Sequence, residues 1–98
     1  MAARLVFHSK FLYPDGSIRE MGLWKLPRAT PDKPHGLKYR LYYGSADGVC
    51  RVRYDNETGK GDHRHIADKE YRYVFKSVER LVEDFLVDIA RVRGGGDE

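Results

Sequence analysis

Hydrophobic positions change their period once along this chain. Up to about Phe75 they tend to alternate with polar ones, the period of a strand with one buried face; from Val78 they recur at three and four. The clearest strand is Leu37 to Tyr43. Leu37, Tyr39, Leu41 and Tyr43 fall on one face, and Lys38, Arg40 and Tyr42 on the other. After a turn at Gly44 to Gly48, Val49 to Tyr54 sets Cys50, Val52 and Tyr54 opposite Val49, Arg51 and Arg53. These two segments predict a hairpin with one apolar and one cationic face. Arg4 to Tyr13 and Ile18 to Leu26 read as an earlier pair around Pro14-Asp15-Gly16-Ser17, a strong turn signal. In the second of them Ile18, Glu20, Gly22, Trp24 and Leu26 share one side. Pro27 to Gly36 holds three prolines and reads as an irregular loop. Asp55 to Gly61 is a polar loop. His63 to Ile66 reads as a short strand, and Tyr71 to Phe75 as another strand or an extended approach to the helix.

Ser77 is the expected N-cap of that helix. Val78, Leu81, Val82, Phe85, Ile89 and Val92 form its apolar stripe. Arg91 and Arg93 complement its C-terminal dipole, and Gly94 ends it. Strands in a row followed by one helix predict an α+β fold. The expected architecture is an antiparallel sheet of about five strands, with one C-terminal amphipathic helix packed on one face. Residues 1–93 form a single domain in this reading, and 94–98 a flexible tail. One helix covers only part of one sheet face, so the other is wet or meets another chain, a homodimer partner included.

Composition adds bounds. A share of 41% hydrophobic and 34% charged residues suits an ordered domain. The net charge of +3 permits a polyanionic partner without requiring one. Positive charge gathers mid-chain at Lys38, Arg40, Arg51, Arg53, Lys60 and Arg64, while Glu79, Glu83, Asp84 and Asp88 make the helix partly acidic. A single cysteine, Cys50, excludes an internal disulfide and a Cys-based zinc site, and suits a reducing cytoplasm. Cys50 reads as a small core residue. Trp24 reads as core or interface. No stretch has the length of a membrane span.

The chemistry concentrates in Arg53-Tyr54-Asp55-Asn56 and Gly59-Lys60-Gly61-Asp62-His63-Arg64-His65. On an extended segment His63 and His65 share a face, roughly 6.6 Å apart at their Cα atoms. Imidazoles titrate near neutrality, so one can take a proton and the other give one across a phosphate. Lys60, Arg64 or Arg53 could stabilise charge developing there. These are the parts of a metal-independent ribonuclease that works through the 2′-hydroxyl, and equally of a plain phosphate-binding loop. Zinc at His63 and His65, with Asp62, His35 or His8 as third ligand, is a further alternative, and an unemployed charged hairpin another. Lys60 between glycines lacks the spacing of a P-loop, and no cofactor is expected. Tyr42, beside Lys38 and Arg40, could stack on a base.

At Asp15-Gly16-Ser17-Ile18, Lys38-Tyr39-Arg40-Leu41, Arg53-Tyr54-Asp55-Asn56, Gly59 to His65 and Leu81-Val82-Glu83-Asp84-Phe85 the chain resembles the TumE family of toxin–antitoxin proteins. The resemblance runs from about Tyr13 to about Ile89, and Asp62-His63-Arg64-His65 is its most specific part. It implies a prokaryotic toxin neutralised by a helix-turn-helix antitoxin encoded beside it. By analogy with such toxins, RNA is the expected target, with a ribonuclease as the leading expectation. His63 and His65 are then the acid/base pair, Lys60 supports the reaction, and Asp62 orients a histidine. Arg64, Arg53, Arg51, Lys38, Arg40 and Tyr42 bind RNA. A non-catalytic RNA- or ribosome-binding module and a nucleotide-dependent transferase are the alternatives.

Overall fold

The computed structural model describes residues 3–57 and 59–94. Six strands form one sheet in simple sequential order, every neighbouring pair antiparallel. They are β1 (Arg4–Leu12), β2 (Ile18–Lys25), β3 (Leu37–Gly44), β4 (Cys50–Asp55), β5 (His63–Ile66) and β6 (Lys69–Arg72). Among the described residues a single helix, α1 (Val78–Arg93), follows. The fold is α+β, as the change of period predicts.

The sixth strand differs from expectation. Pairing begins at Lys69 rather than Tyr71, and Tyr73 to Lys76 run on to the helix outside any strand, the Tyr73 amide still donating to the Asp62 carbonyl at 3.1 Å. All four residues of β6 are exposed, so no buried face marks it in the sequence. It forms because Ala67, at a φ of 58°, lets the chain turn back on β5.

Alternation places the core. Leu23, Tyr39, Leu41, Val52 and Tyr54 point to one face of the sheet, and Leu81, Phe85 and Ile89 of α1 close over them. Ser77 caps α1 as expected, its hydroxyl accepting from the Arg80 amide at 3.0 Å. Gly94 is the C-cap; the rest of the expected tail, residues 95–98, lies outside the described residues.

Among the buried polar residues are Asn56, Asp88 and Lys33. Asn56 is fully buried, accepting from the Tyr39 amide at 3.0 Å and donating to the Leu37 carbonyl at 2.9 Å. It thereby ties the end of β4 to the start of β3. Asp88, counted above among the acidic helix residues, is buried beneath the helix. There it accepts from the Tyr54 hydroxyl and from Arg64 Nη1 at 3.3 Å. Lys33 is buried against Asp32 in the proline-rich loop, at 3.2 Å. Cys50 is only half-buried, not a core residue, and burial still pushes its thiol up, away from thiolate chemistry.

Candidate functional site: the open face of the sheet

Strand register decides which side chains meet. Two rows cross the face opposite the helix. One runs Glu20, Tyr42, Arg53, His65, Glu70. The other runs Gly22, Arg40, Asp55, His63, Arg72. Lys38 and Arg51 belong to the same face by alternation. The helix leaves this face uncovered because its apolar stripe has partners only on the other side.

His63 and His65 share this face, as the two-residue spacing predicts, with ring centroids 5.1 Å apart. Their surroundings differ. His63 is buried; its Nδ1 lies 3.1 Å from the Gly61 carbonyl, which can only accept, so Nδ1 carries a proton. Its Nε2 faces Asp55 Oδ1 at 2.7 Å and Glu70 Oε2 at 3.6 Å. His65 is more open. Its Nε2 accepts from Arg53 Nη2 at 2.9 Å, so this nitrogen holds a lone pair and the ring is neutral. Burial first, then the Arg53 charge, hold the His65 pKa below the ordinary value of 6.5. One imidazole is thus aimed at a carboxylate and the other at a cation, an asymmetry that suits unlike proton-transfer roles.

Asp55 links the pair. It is 4% exposed, and its Oδ2 lies 3.0 Å from Arg53 Nε. Both contacts have ion-pair distance, yet neither Asp55 Oδ1 nor Arg53 Nε has an aligned hydrogen bond. Among the described residues, Asp55, His63 and His65 also form a group that could hold a metal ion, their ligand atoms all lying within 4.8 Å of one another. Glu70 stands at the rim, 3.9 Å from His65 Nε2.

The remaining residues singled out from the sequence divide. Lys38, Arg40, Tyr42, Arg51 and Arg53 lie on the histidine face. Asp62 does not contact either of those histidines; both its oxygens meet His35 Nε2, at 3.0 and 3.2 Å. His35 Nδ1 in turn accepts from the Leu37 amide at 3.2 Å, and Phe75 packs on the ring at 4.2 Å. With both nitrogens engaged, His35 and Asp62 clasp the proline-rich loop to the start of β5. Lys60 lines the recess beside them, about 390 Å³ in volume, together with Arg72 and Tyr73. Arg64 faces the helix side, donating to the Tyr54 hydroxyl at 3.0 Å and to Asp88. His8 lies across the sheet on β1, paired with Glu20 at 2.8 Å.

Asp55 stands in the segment where the sequence concentrates its chemistry but is given no role there, and Glu70 is not singled out. For Asp55 a signal existed, since it follows Arg51 and Arg53 at the two-residue period. Glu70 was legible only once β6 pairs with β5.

Comparison with known protein families matches residues 2–93 to the family described as Toxin TumE. No curated protein and no solved structure matches the chain.

Proposed function

The chain belongs to the TumE toxin family, and from that premise we propose that it acts on RNA as a ribonuclease centred on His63 and His65. A single observation carries the reading: two histidines on one open sheet face, one aimed at a carboxylate and the other lying against a guanidinium. His65, held neutral, takes the proton of a 2′-hydroxyl at Nε2 as the Arg53 guanidinium leaves that nitrogen for the phosphate. The freed oxygen attacks the adjacent phosphorus, and the bond from phosphorus to the 5′-oxygen breaks. His63 gives its Nε2 proton to the leaving 5′-oxygen. The products are a 2′,3′-cyclic phosphate and a 5′-hydroxyl. Arg53 spreads the charge that develops on the phosphate. Asp55 faces His63 Nε2 and positions Arg53. Lys38, Arg40 and Arg51 draw the RNA backbone to this face. Lys60 meets a flanking phosphate from its loop. Such a toxin works beside an antitoxin, here a helix-turn-helix protein, in the cytoplasm.

The same three side chains suit a divalent metal ion, and the unaligned Asp55 Oδ1 favours that alternative. Gly61 would then fix the tautomer of a ligating His63. Against it, Arg53 already brings a cation to Asp55 and His65, and a metal would have to displace it.

Cleavage of total cellular RNA in EDTA tests both. The acid/base mechanism predicts cleavage by the wild type, with cyclic-phosphate ends, and none by His63→Ala/His65→Ala. Activity that disappears in EDTA and returns with a divalent metal would replace it with the metal mechanism. RNA bound without any product would leave a binding module.

A further inference from the structure

The open face carries a second feature on β2 and β3, away from the histidines. Trp24 lies flat along its own strand with its ring over Gly22. A Cβ at Gly22 would stand 2.6 Å from Trp24 Cη2 and 3.0 Å from Cζ3, so the indole can lie down only on a glycine. Tyr42 does the same over Gly44, where a Cβ would collide with its hydroxyl and meet its ring at 2.7 to 2.9 Å. Between them is a recess of about 210 Å³ lined by His8, Glu20, Gly22, Trp24, Arg40 and Tyr42. The Arg40 guanidinium stands 5.6 Å from the Tyr42 ring centroid. Glu20, with Oε2 bonded to His8, brings a carboxylate to the edge.

We propose that this recess binds one unpaired RNA base, and that Glu20 selects guanine. The proposal rests on the reading of the protein as RNA-directed. Planar aromatic and guanidinium surfaces stack on any base. Selection comes from the edge. A carboxylate only accepts hydrogen bonds. Guanine offers N1–H and N2–H side by side, two donors for two oxygens. Adenine and cytosine place a ring acceptor beside their one amine, and uracil flanks its one N–H with two carbonyls. Each of these sets a lone pair against the carboxylate. Arg40 supplies donors for the guanine acceptors. Gly22 and Arg40 share their row with Asp55 and His63. From β3 to β5 is two strand spacings, roughly 10 Å. A strand of RNA crossing this face meets the recess before the histidines, so the recess would set which phosphate is cut.

Trp24 is the only tryptophan, and it reports directly on stacking. The experiment titrates wild-type protein with UUGUU, UUAUU, UUCUU and UUUUU. All carry 2′-O-methyl groups, which remove the attacking hydroxyl. Trp24 fluorescence and the anisotropy of an end label are read together. UUGUU should quench Trp24 and bind roughly tenfold or more tightly than the others. Glu20→Gln should retain quenching and lose the discrimination. Gly22→Ala, which has only the far end of the indole to displace, should lose quenching in a protein with an unchanged circular dichroism spectrum. Equal quenching by all four oligonucleotides would overturn the assignment of guanine. Binding seen by anisotropy with Trp24 silent would overturn the recess while leaving RNA binding intact. Absence of binding to any RNA, total cellular RNA included, would bring down the parent reading and this one together.

Discussion

At the scale of residues, the two histidines are alike in sequence and unlike in place. Exchanging either for alanine should abolish cleavage with the fold retained, but the two losses should differ in kind. A substrate with sulfur in place of the bridging 5′-oxygen has a leaving group that needs no protonation. Such a substrate should restore cleavage to His63→Ala and not to His65→Ala; rescue of both, or of neither, would reverse or void the assignment. The pH profile carries a second expectation. His65 faces Arg53, His63, Glu70 and Asp55, and its pKa lies below 6.5 in the folded protein. The base form is therefore present above that lowered value, and kcat/KM should fall only as pH drops through it. Replacing Arg53 with glutamine removes one cause of the lowering, so the acidic limb should move to higher pH. The sequence made the pairing of His63 with His65 readable, because a strand period of two leaves no other arrangement. It did not make Asp62 readable. Its nearness to the histidines along the chain suggested contact, whereas the loop carries it to His35, 27 positions away.

At the scale of elements, buried polar groups join pieces that the hydrophobic pattern only aligns. Asn56 spans β3 and β4, its side chain meeting the Tyr39 amide and the Leu37 carbonyl. Asn56→Ala should lower stability by about 1 to 3 kcal/mol in urea unfolding, because both groups stay buried and lose their partner. Asp88 pins α1 to β4 and β5 through Tyr54 and Arg64. Arg64→Ala should therefore lower the midpoint of thermal unfolding and leave RNA affinity within about twofold. A large loss of affinity at unchanged stability would instead put Arg64 on the RNA, as its position between the two histidines suggested. Periodicity placed the helix and its cap, but it counted Asp88 as one acid among several. Only the packing of α1 across Tyr54 shows which carboxylate turns inward.

At the scale of the whole molecule, one helix on a six-stranded sheet leaves one face open, and the cations gather there. RNA affinity should fall steeply with salt, with a slope set by the number of phosphates met. Removing Lys38 and Arg51 together should flatten that slope by about two phosphate contacts, measured by anisotropy over a salt series. An unchanged slope would move the RNA to another surface. The sequence by itself determined the fold class, the order of β1 to β5, the capped helix and the two-faced character of the central hairpin. These follow from local chemistry: side-chain period, turn residues and a cap. It also resembled a toxin family over most of its length, which the match over residues 2–93 bears out. Only the tertiary structure decided that β6 exists, that Asp55 and Glu70 flank the histidines, that Arg64 and Asp88 meet beneath the helix, and that Trp24 lies down on Gly22. Each of these depends on which strands become neighbours and in what register. That is set by contacts between distant segments, and no local pattern carries it.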